Sequence, residues 1–176
     1  MQFQVDVAER NRAKNPHELF ILNLIGFHLL LAPALMALKI GTVALFIPPL
    51  LSFLVMCFIY WRARRAEGSG PWFVMAHWKI SLRRCRLLLI GYGVTGGILL
   101  LASLLTLCMQ ENMKDIFFTA LTLIGVMPTV ILVFVSFIME SNALFQAARG
   151  EVPDVIVTRY PAPAGLVESQ GQNTGE

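Results

Sequence analysis

The hydrophobic residues of this chain are gathered into long stretches that contain no Asp, Glu, Lys or Arg. Four such stretches of 20, 20, 23 and 24 residues cover 19–38, 42–61, 87–109 and 116–139. A helix needs about 20 apolar residues to cross a hydrocarbon core of roughly 30 Å. Because a segment in lipid must satisfy its own backbone hydrogen bonds, each stretch predicts a transmembrane helix. Segments of about ten residues with alternating hydrophobicity, typical of outer-membrane barrels, are absent.

The connections between the stretches predict how the helices are paired. Residues 39–41 and 110–115 are short enough to be hairpin turns, whereas 62–86 is longer and basic. We therefore predict an all-α integral membrane protein, a four-transmembrane-helix bundle made of two antiparallel hairpins. The bundle is expected over 1–150, followed by a cytoplasmic tail over 151–176.

Positive charge is distributed unevenly between the two sides of this arrangement. The N-terminal segment, residues 62–86 and the C-terminal tail hold 12 of the 14 Lys and Arg residues, and the opposite side holds 2. Because Lys and Arg accumulate in cytoplasmic loops, both termini and 62–86 are predicted to lie in the cytoplasm. The expected location is a bacterial inner (plasma) membrane, crossed several times. The net charge of +3 is thus explained by topology, and no nucleic-acid partner is expected.

Residues 72–86 have the pattern of a basic amphipathic helix. Apolar side chains share one face, and the other carries Lys79, Arg83, Arg84 and Arg86. Such a pattern predicts a helix lying on the inner membrane surface between spans two and three. Its basic residues are expected to bind anionic lipid head groups or to dock a partner.

The chain beyond span four is predicted to lose its helical structure. Gly150 should end the last helix and Pro153 should prevent it from resuming. Residues 155–158 are apolar and suit a short edge strand. The remainder is rich in Pro, Gly, Gln and Glu, so the tail is expected to be largely disordered.

Small and hydroxylated residues mark two faces for helix packing. Gly91, Gly93 and Gly96 match the letters of the dinucleotide-binding fingerprint, but that fingerprint requires a strand before it and a helix opening after it. Gly93 and Gly97 instead lie one helical turn apart on one face, where missing side chains let another helix approach closely. In span four the corresponding face carries Thr122, Gly125, Thr129 and Ser136. Helix packing is favoured for this stripe, and the alternative is the lining of a pore in an oligomer.

Two polar residues, Asn23 and His28, form a candidate intramembrane polar site in span one. Ionisable groups in a span are functional candidates because burying them in lipid is costly. A haem with two histidine ligands would need a second histidine at the depth of His28, and no other span has one. The three cysteines form no CxxC motif. No metal ligand set or cofactor is expected.

No catalytic motif is found, and the protein is predicted not to be an enzyme. The leading hypothesis is a non-enzymatic integral subunit, or an assembly or scaffold factor, of a larger bacterial membrane complex such as a secretion, conjugation or respiratory assembly. Its expected partners are the lipid bilayer and other membrane-protein subunits. The alternatives are a small homo-oligomeric channel or transporter and, less favoured, a haem- or quinone-binding membrane subunit.

Overall fold

The computed structural model describes residues 1–38, 41, 45–68 and 70–166, and over these residues the fold is helical. A π-helical segment, Leu24–Leu31, joins α1 directly to α2. The α-helices are α1 Val7–Asn23, α2 Ala32–Ala37, α3 Ile47–Arg65, α4 Trp72–Leu107, α5 Glu111–Arg149 and α6 Asp154–Arg159.

Within the described residues, three helices are long and apolar enough to cross a membrane. They are the continuous helix Val7–Ala37 together with α4 and α5. In their most apolar windows only 17%, 17% and 22% of the residues are buried inside the chain. Most of the apolar side chains therefore face outward, as they do in a multi-pass membrane protein whose solvent is lipid.

The first helix begins earlier than the apolar stretch predicts. Asp6 caps it, its side-chain oxygen accepting a hydrogen bond from the Val7 backbone N–H at 2.7 Å. The helix then passes through Pro16 and widens into the π-helical segment, where the Ala32 N–H bonds the Phe27 carbonyl. The wide turn ends next to Pro33, which has no N–H to donate and whose ring would collide with a carbonyl in a regular turn.

Helix α3 is shorter than predicted span two. It begins at Ile47, so Pro48 occupies its first turn, where a missing N–H costs nothing. Residues 42–44 of the predicted span lie outside the described residues. The last turn carries the arginines at 62, 64 and 65. Helix α3 is not among the described helices that are long and apolar enough to cross a membrane.

The predicted interfacial helix is not a separate element. Residues 72–86 and predicted span three belong to one helix, α4, which is 36 residues long. The sequence contains no Gly or Pro between Trp72 and Ile90, and a change from charged to apolar residues does not by itself end a helix. Phe73, Ala76 and Ile80 are buried in the apolar core, so this segment is packed within the protein.

The described residues form two compact units. The first comprises 1–83 together with 137–166, and the second comprises 84–136. The core of the first unit is an apolar cluster drawn from the N-terminal segment, α1, α4, α5 and the region after α5. Its buried members are Phe3, Ala13, Phe73, Ala76, Ile80, Ala143, Ala147, Val152 and Ile156.

The N-terminal residues pair with the backbone that follows α5. Gln2 and Glu151 form an isolated antiparallel bridge, and the Val152 N–H donates to the Met1 carbonyl at 2.9 Å. As predicted, α5 stops before Gly150, which has a φ of 77°. A Cβ at that position would lie 2.7 Å from the Phe3 carbonyl oxygen, so both conformation and space favour glycine.

The chain after Gly150 is folded as far as residue 166. Residues 155–158, predicted as a strand, lie in helix α6. The prediction was wrong because Pro153 precedes the first turn of a new helix instead of preventing one. Val152 and Ile156 are 1% and 5% exposed, which ties this part of the predicted tail to the core. The remainder, 167–176, lies outside the described residues.

Candidate functional site

A buried network of three titratable side chains lies in the first unit. The His17 Nδ1 is 2.5 Å from the Glu140 Oε2, and the His17 Nε2 is 2.9 Å from the His77 Nδ1. All three side chains have no exposed surface. Helices α1, α4 and α5 each supply one residue, so the network joins three elements that are far apart in sequence.

Local packing fixes the two imidazole rings. The Ser81 hydroxyl, one turn beyond His77 on α4, donates to the Pro16 carbonyl at 3.3 Å. This bond holds α4 against α1 beside the network. Phe73, one turn before His77, packs edge-on against its ring with centroids 4.7 Å apart. The His17 and His77 rings are themselves nearly perpendicular, at 89°, which suits a nitrogen-to-nitrogen hydrogen bond.

The donor and acceptor capacity of each side chain limits where the protons of this network can be. An ionised Glu140 carboxylate can only accept, so the His17 Nδ1 must then carry its proton. The His17 Nε2 accepts from the His77 Nδ1–H when His17 is neutral, and it donates when His17 is protonated. Chemically, the arrangement can hold or pass a proton among three side chains without moving the backbone.

The network is not shaped like a metal site. In the parts of the chain that the structure describes, no group of three or more His, Cys, Asp or Glu residues is arranged to hold a metal ion. Both ring nitrogens of His17 are engaged by neighbouring side chains, and the two contacts diverge from its ring.

Sequence reasoning missed this network. It placed residue 77 on the interfacial helix outside the spans and treated His28 as the histidine of interest, because neither His17 nor Glu140 falls within an uncharged stretch. One signal was present. Glu140 follows Ser136 by one helical turn, so the polar stripe of span four continues into a carboxylate. The contact between His17 and Glu140 joins residues 123 positions apart, and no pattern of neighbouring residues predicts it.

The predicted intramembrane polar residues lie near one another on the first helix. Asn23 is 3% exposed, and its Nδ2 donates to the Ser52 hydroxyl of α3 at 3.0 Å. His28 lies in the π-helical segment, five residues further along the same continuous helix. A side-chain hydrogen bond between helices is a common means of association in lipid, and here it holds α1 beside α3.

The second unit contains a close seam between α4 and α5. The Thr95 hydroxyl donates to the Gly125 carbonyl at 2.6 Å and lies 2.8 Å from the Thr129 hydroxyl. A Cβ on Gly125 would lie 2.8 Å from the Cγ2 of Ile98. Gly91, which was not among the predicted packing residues, is the glycine of α4 that approaches the Thr129 backbone.

The other predicted packing residues are placed differently. Ser136 is buried and Thr122 is half-buried, and among the described residues neither hydroxyl has a hydrogen-bond partner. Gly93 and Gly97 are exposed, and a Cβ added to either would have no described atom within 4 Å. Within the second unit, the glycine face predicted on span three is therefore open.

The four basic residues predicted to dock lipid or a partner differ in exposure. Lys79 is 8% exposed; its Nζ donates to a carboxylate oxygen of Glu67 and lies 5.4 Å from the centroid of the Tyr160 ring. Arg83 and Arg86 are exposed, and Arg84 is half-buried. The hydrogen bond from Lys79 is the main reason why the pKa of Glu67 is below its usual value.

The buried network, the α4–α5 seam and the open glycine face are thus the features from which a function must be argued. No protein-family model, curated protein or solved structure matches this chain.

Proposed function

We propose that the chain crosses a bacterial inner membrane four times, with both termini in the cytoplasm. The bridge between Gln2 and Glu151 supports an even number of crossings, because paired backbones must lie on the same side of the membrane. The helix Val7–Ala37, α4 and α5 are long and apolar enough for three crossings. Helix α3 would then be the fourth crossing. The 12-to-2 distribution of Lys and Arg supports an orientation with both termini in the cytoplasm.

The length of α3 is compatible with this role. Its uncharged part, 47–61, has 15 residues, which rise about 22 Å at 1.5 Å per residue. A short span is accommodated by local thinning of the bilayer and by long side chains that reach the interface. Reporter fusions test the arrangement. A reporter at Gly41 or Asn112 should be found outside the cytoplasm, and a cytoplasmic result at either position would contradict four spans.

Within this arrangement, we propose that the protein is a non-enzymatic subunit or assembly factor of a larger membrane complex. The observation that carries the proposal is the open glycine face of Gly93 and Gly97. Apolar surface alone does not drive helices together in lipid, because lipid tails are equally apolar. Glycines at this spacing permit the close backbone contact that does, and no helix of the second unit occupies them. The proposed occupant is a transmembrane helix of another subunit.

The experiment compares the composition of the purified complex across three versions of the protein. The wild-type chain, a Gly93→Leu/Gly97→Leu variant and a Val94→Leu control are purified from the native host in mild detergent, and their native masses and constituent chains are measured. The wild type and the control should carry other chains in a fixed ratio. The glycine variant should lose them while keeping its own helical content, because leucine side chains separate the backbones. Equal retention by all three would contradict the proposal.

The alternative of a small homo-oligomeric channel is less well supported. It depended on His28 and on the hydroxyl stripe of span four, and the Thr129 hydroxyl of that stripe is bonded to Thr95 inside the chain. The same purification separates the two functions. A homo-oligomer that contains no other chain and conducts ions in liposomes would favour the channel.

A further inference from the structure

The buried network of His17, His77 and Glu140 carries a charge that depends on how many protons it holds. With an ionised Glu140 carboxylate and two neutral imidazoles, the three side chains carry one negative charge. One additional proton makes them neutral as a group. Because none of the three has exposed surface and an uncompensated charge away from water is costly, burial favours the form with the additional proton.

The geometry lets the network take up this proton while keeping both of its hydrogen bonds. Without the proton, the His77 Nδ1–H donates to the His17 Nε2 across 2.9 Å, and the His17 Nδ1–H donates to the Glu140 Oε2 across 2.5 Å. When a proton is added to the His77 Nε2, the proton on the His77 Nδ1 passes to the His17 Nε2, which then donates back. The first hydrogen bond is reversed and the second is unchanged, so no side chain has to move.

Other charged residues lie on the helices packed in this region. Among the described residues of the first unit, Lys79 is the other buried side chain that carries a charge, and its Nζ donates to Glu67. Arg84 is half-buried and follows His77 by two turns on the same face of α4. In addition, there are Lys14 and Glu18 on α1, Arg62 over the Trp78 ring, and Arg149 in the last turn of α5. A bound proton and a fixed positive charge are therefore the two ways in which the charge of Glu140 can be balanced.

We propose that His17, His77 and Glu140 form a proton-binding site, which in the folded protein holds one proton more than the same residues hold in the unfolded chain above about pH 7. A histidine in water has a pKa of about 6.5 and a glutamate one of about 4.3, so the unfolded residues hold no additional proton in that range. The three side chains belong to one unit, and the inference does not depend on how many times the chain crosses the membrane. Its consequence is that the packing of α1, α4 and α5 responds to pH.

The sign of this response follows from the number of protons in each state. Because the folded state binds one proton more than the unfolded state, the ratio of folded to unfolded protein falls as the pH rises, by about tenfold per pH unit. An arginine that balanced Glu140 would keep its charge throughout this range. It would give no such dependence, so the pH profile distinguishes the two ways of balancing the charge.

The experiment compares the wild type with Glu140→Gln, which removes the negative charge but keeps an oxygen that accepts from the His17 Nδ1–H. Full-length protein in mixed micelles is unfolded with sodium dodecyl sulfate between about pH 7 and pH 8.5, and tryptophan fluorescence gives the folded-to-unfolded ratio. The ratio for the wild type, divided by that for Glu140→Gln, should fall by about tenfold per pH unit. The control is Glu18→Gln, an exposed neighbour of His17, which should follow the wild type.

A direct count of protons provides the second measurement. The same proteins are unfolded near pH 8 in weakly buffered solution that contains a pH-indicator dye. The wild type and Glu18→Gln should each release one proton per chain more than Glu140→Gln. If Glu140→Gln does not fold, Glu140→Met takes its place, because it also removes the buried carboxylate and keeps a side chain of similar length.

Two results would overturn the proposal. A ratio between the wild type and the Glu140 variant that stays constant with pH, together with equal release of protons, would mean that the folded network holds no additional proton. Loss of the pH dependence in Glu18→Gln would mean that the dependence arises at an exposed carboxylate and not at the buried site.

Discussion

Removal of the His17 side chain should strongly destabilise the first unit. His17→Ala breaks the hydrogen bond to Glu140 at 2.5 Å and the one to His77 at 2.9 Å. It leaves both partners buried without this ring between them. Removing one member of a buried, hydrogen-bonded ionisable pair costs about 3–5 kcal/mol. We therefore expect His17→Ala to lower the free energy of unfolding by that amount.

Tryptophan fluorescence provides the measurement. Trp61, Trp72 and Trp78 all lie in the first unit, so their emission follows the unfolding of that unit. A titration with sodium dodecyl sulfate in mixed micelles then gives the free energy of unfolding. The matched control is Glu18→Ala, an exposed neighbour of His17, which should change stability by less than about 0.5 kcal/mol.

A double-mutant cycle shows whether the loss comes from the network. If the His17–Glu140 contact is the cause, then His17→Ala and Glu140→Ala together should cost less than the sum of the single variants by about 0.5–3 kcal/mol. A His17→Ala variant as stable as the Glu18→Ala control, or a cycle with no coupling, would refute the reasoning. In either case the buried contact would not be what holds α1 against α5.

Two further predictions concern the α4–α5 seam and the ion pair between Lys79 and Glu67. Gly125→Ala should lower the stability of the second unit by about 1–3 kcal/mol, because its Cβ would lie 2.8 Å from the Cγ2 of Ile98. The control Gly96→Ala, whose Cβ would have open space, should leave the stability unchanged. Equal melting midpoints for the two variants would contradict the prediction. The hydrogen bond from Lys79 is the main cause that lowers the pKa of Glu67 in the folded protein. The stability that this pair contributes is therefore present above the unfolded pKa of about 4.5. It is lost as the pH falls through the lower pKa of the folded state. The difference in unfolding free energy between the wild type and Glu67→Gln should therefore shrink between pH 6 and pH 3, and a constant difference would show that the carboxylate is not held by the lysine.

The sequence predicted the membrane helices better than it predicted where they end. Long uncharged stretches must be helices in lipid, and the helices Val7–Ala37, Trp72–Leu107 and Glu111–Arg149 cover three of the four predicted spans to within two residues at their ends. The junction between Arg86 and Leu87 was wrongly taken as a boundary, because a change in polarity alters what surrounds a helix and leaves its backbone hydrogen bonds intact. Gly150 was a reliable stop since its positive φ is costly for other residues.

Glycine spacing shows the limit of arguing from one helix at a time. The pattern correctly identified residues that lack bulk, but spacing alone cannot say which neighbour uses them. In the second unit α5 approaches Gly91, whereas Gly93 and Gly97 remain open. The difference is a rotation of the helix about its axis, and that rotation is set by hydrogen bonds such as Thr95 to Gly125.

By itself, then, the sequence determined the helical class, the apolar segments and the uneven distribution of charge, because these depend on composition and on short-range periodicity. Only the tertiary structure brought His17, His77 and Glu140 into one network and turned Lys79 inward toward Glu67. The network joins residues on three helices, and the Lys79 contact joins α4 to the turn that follows α3. These contacts depend on how the helices rotate and pack, and nothing in the local sequence encodes a partner that lies 60 residues away, as His77 does from His17, or 123 residues away, as Glu140 does.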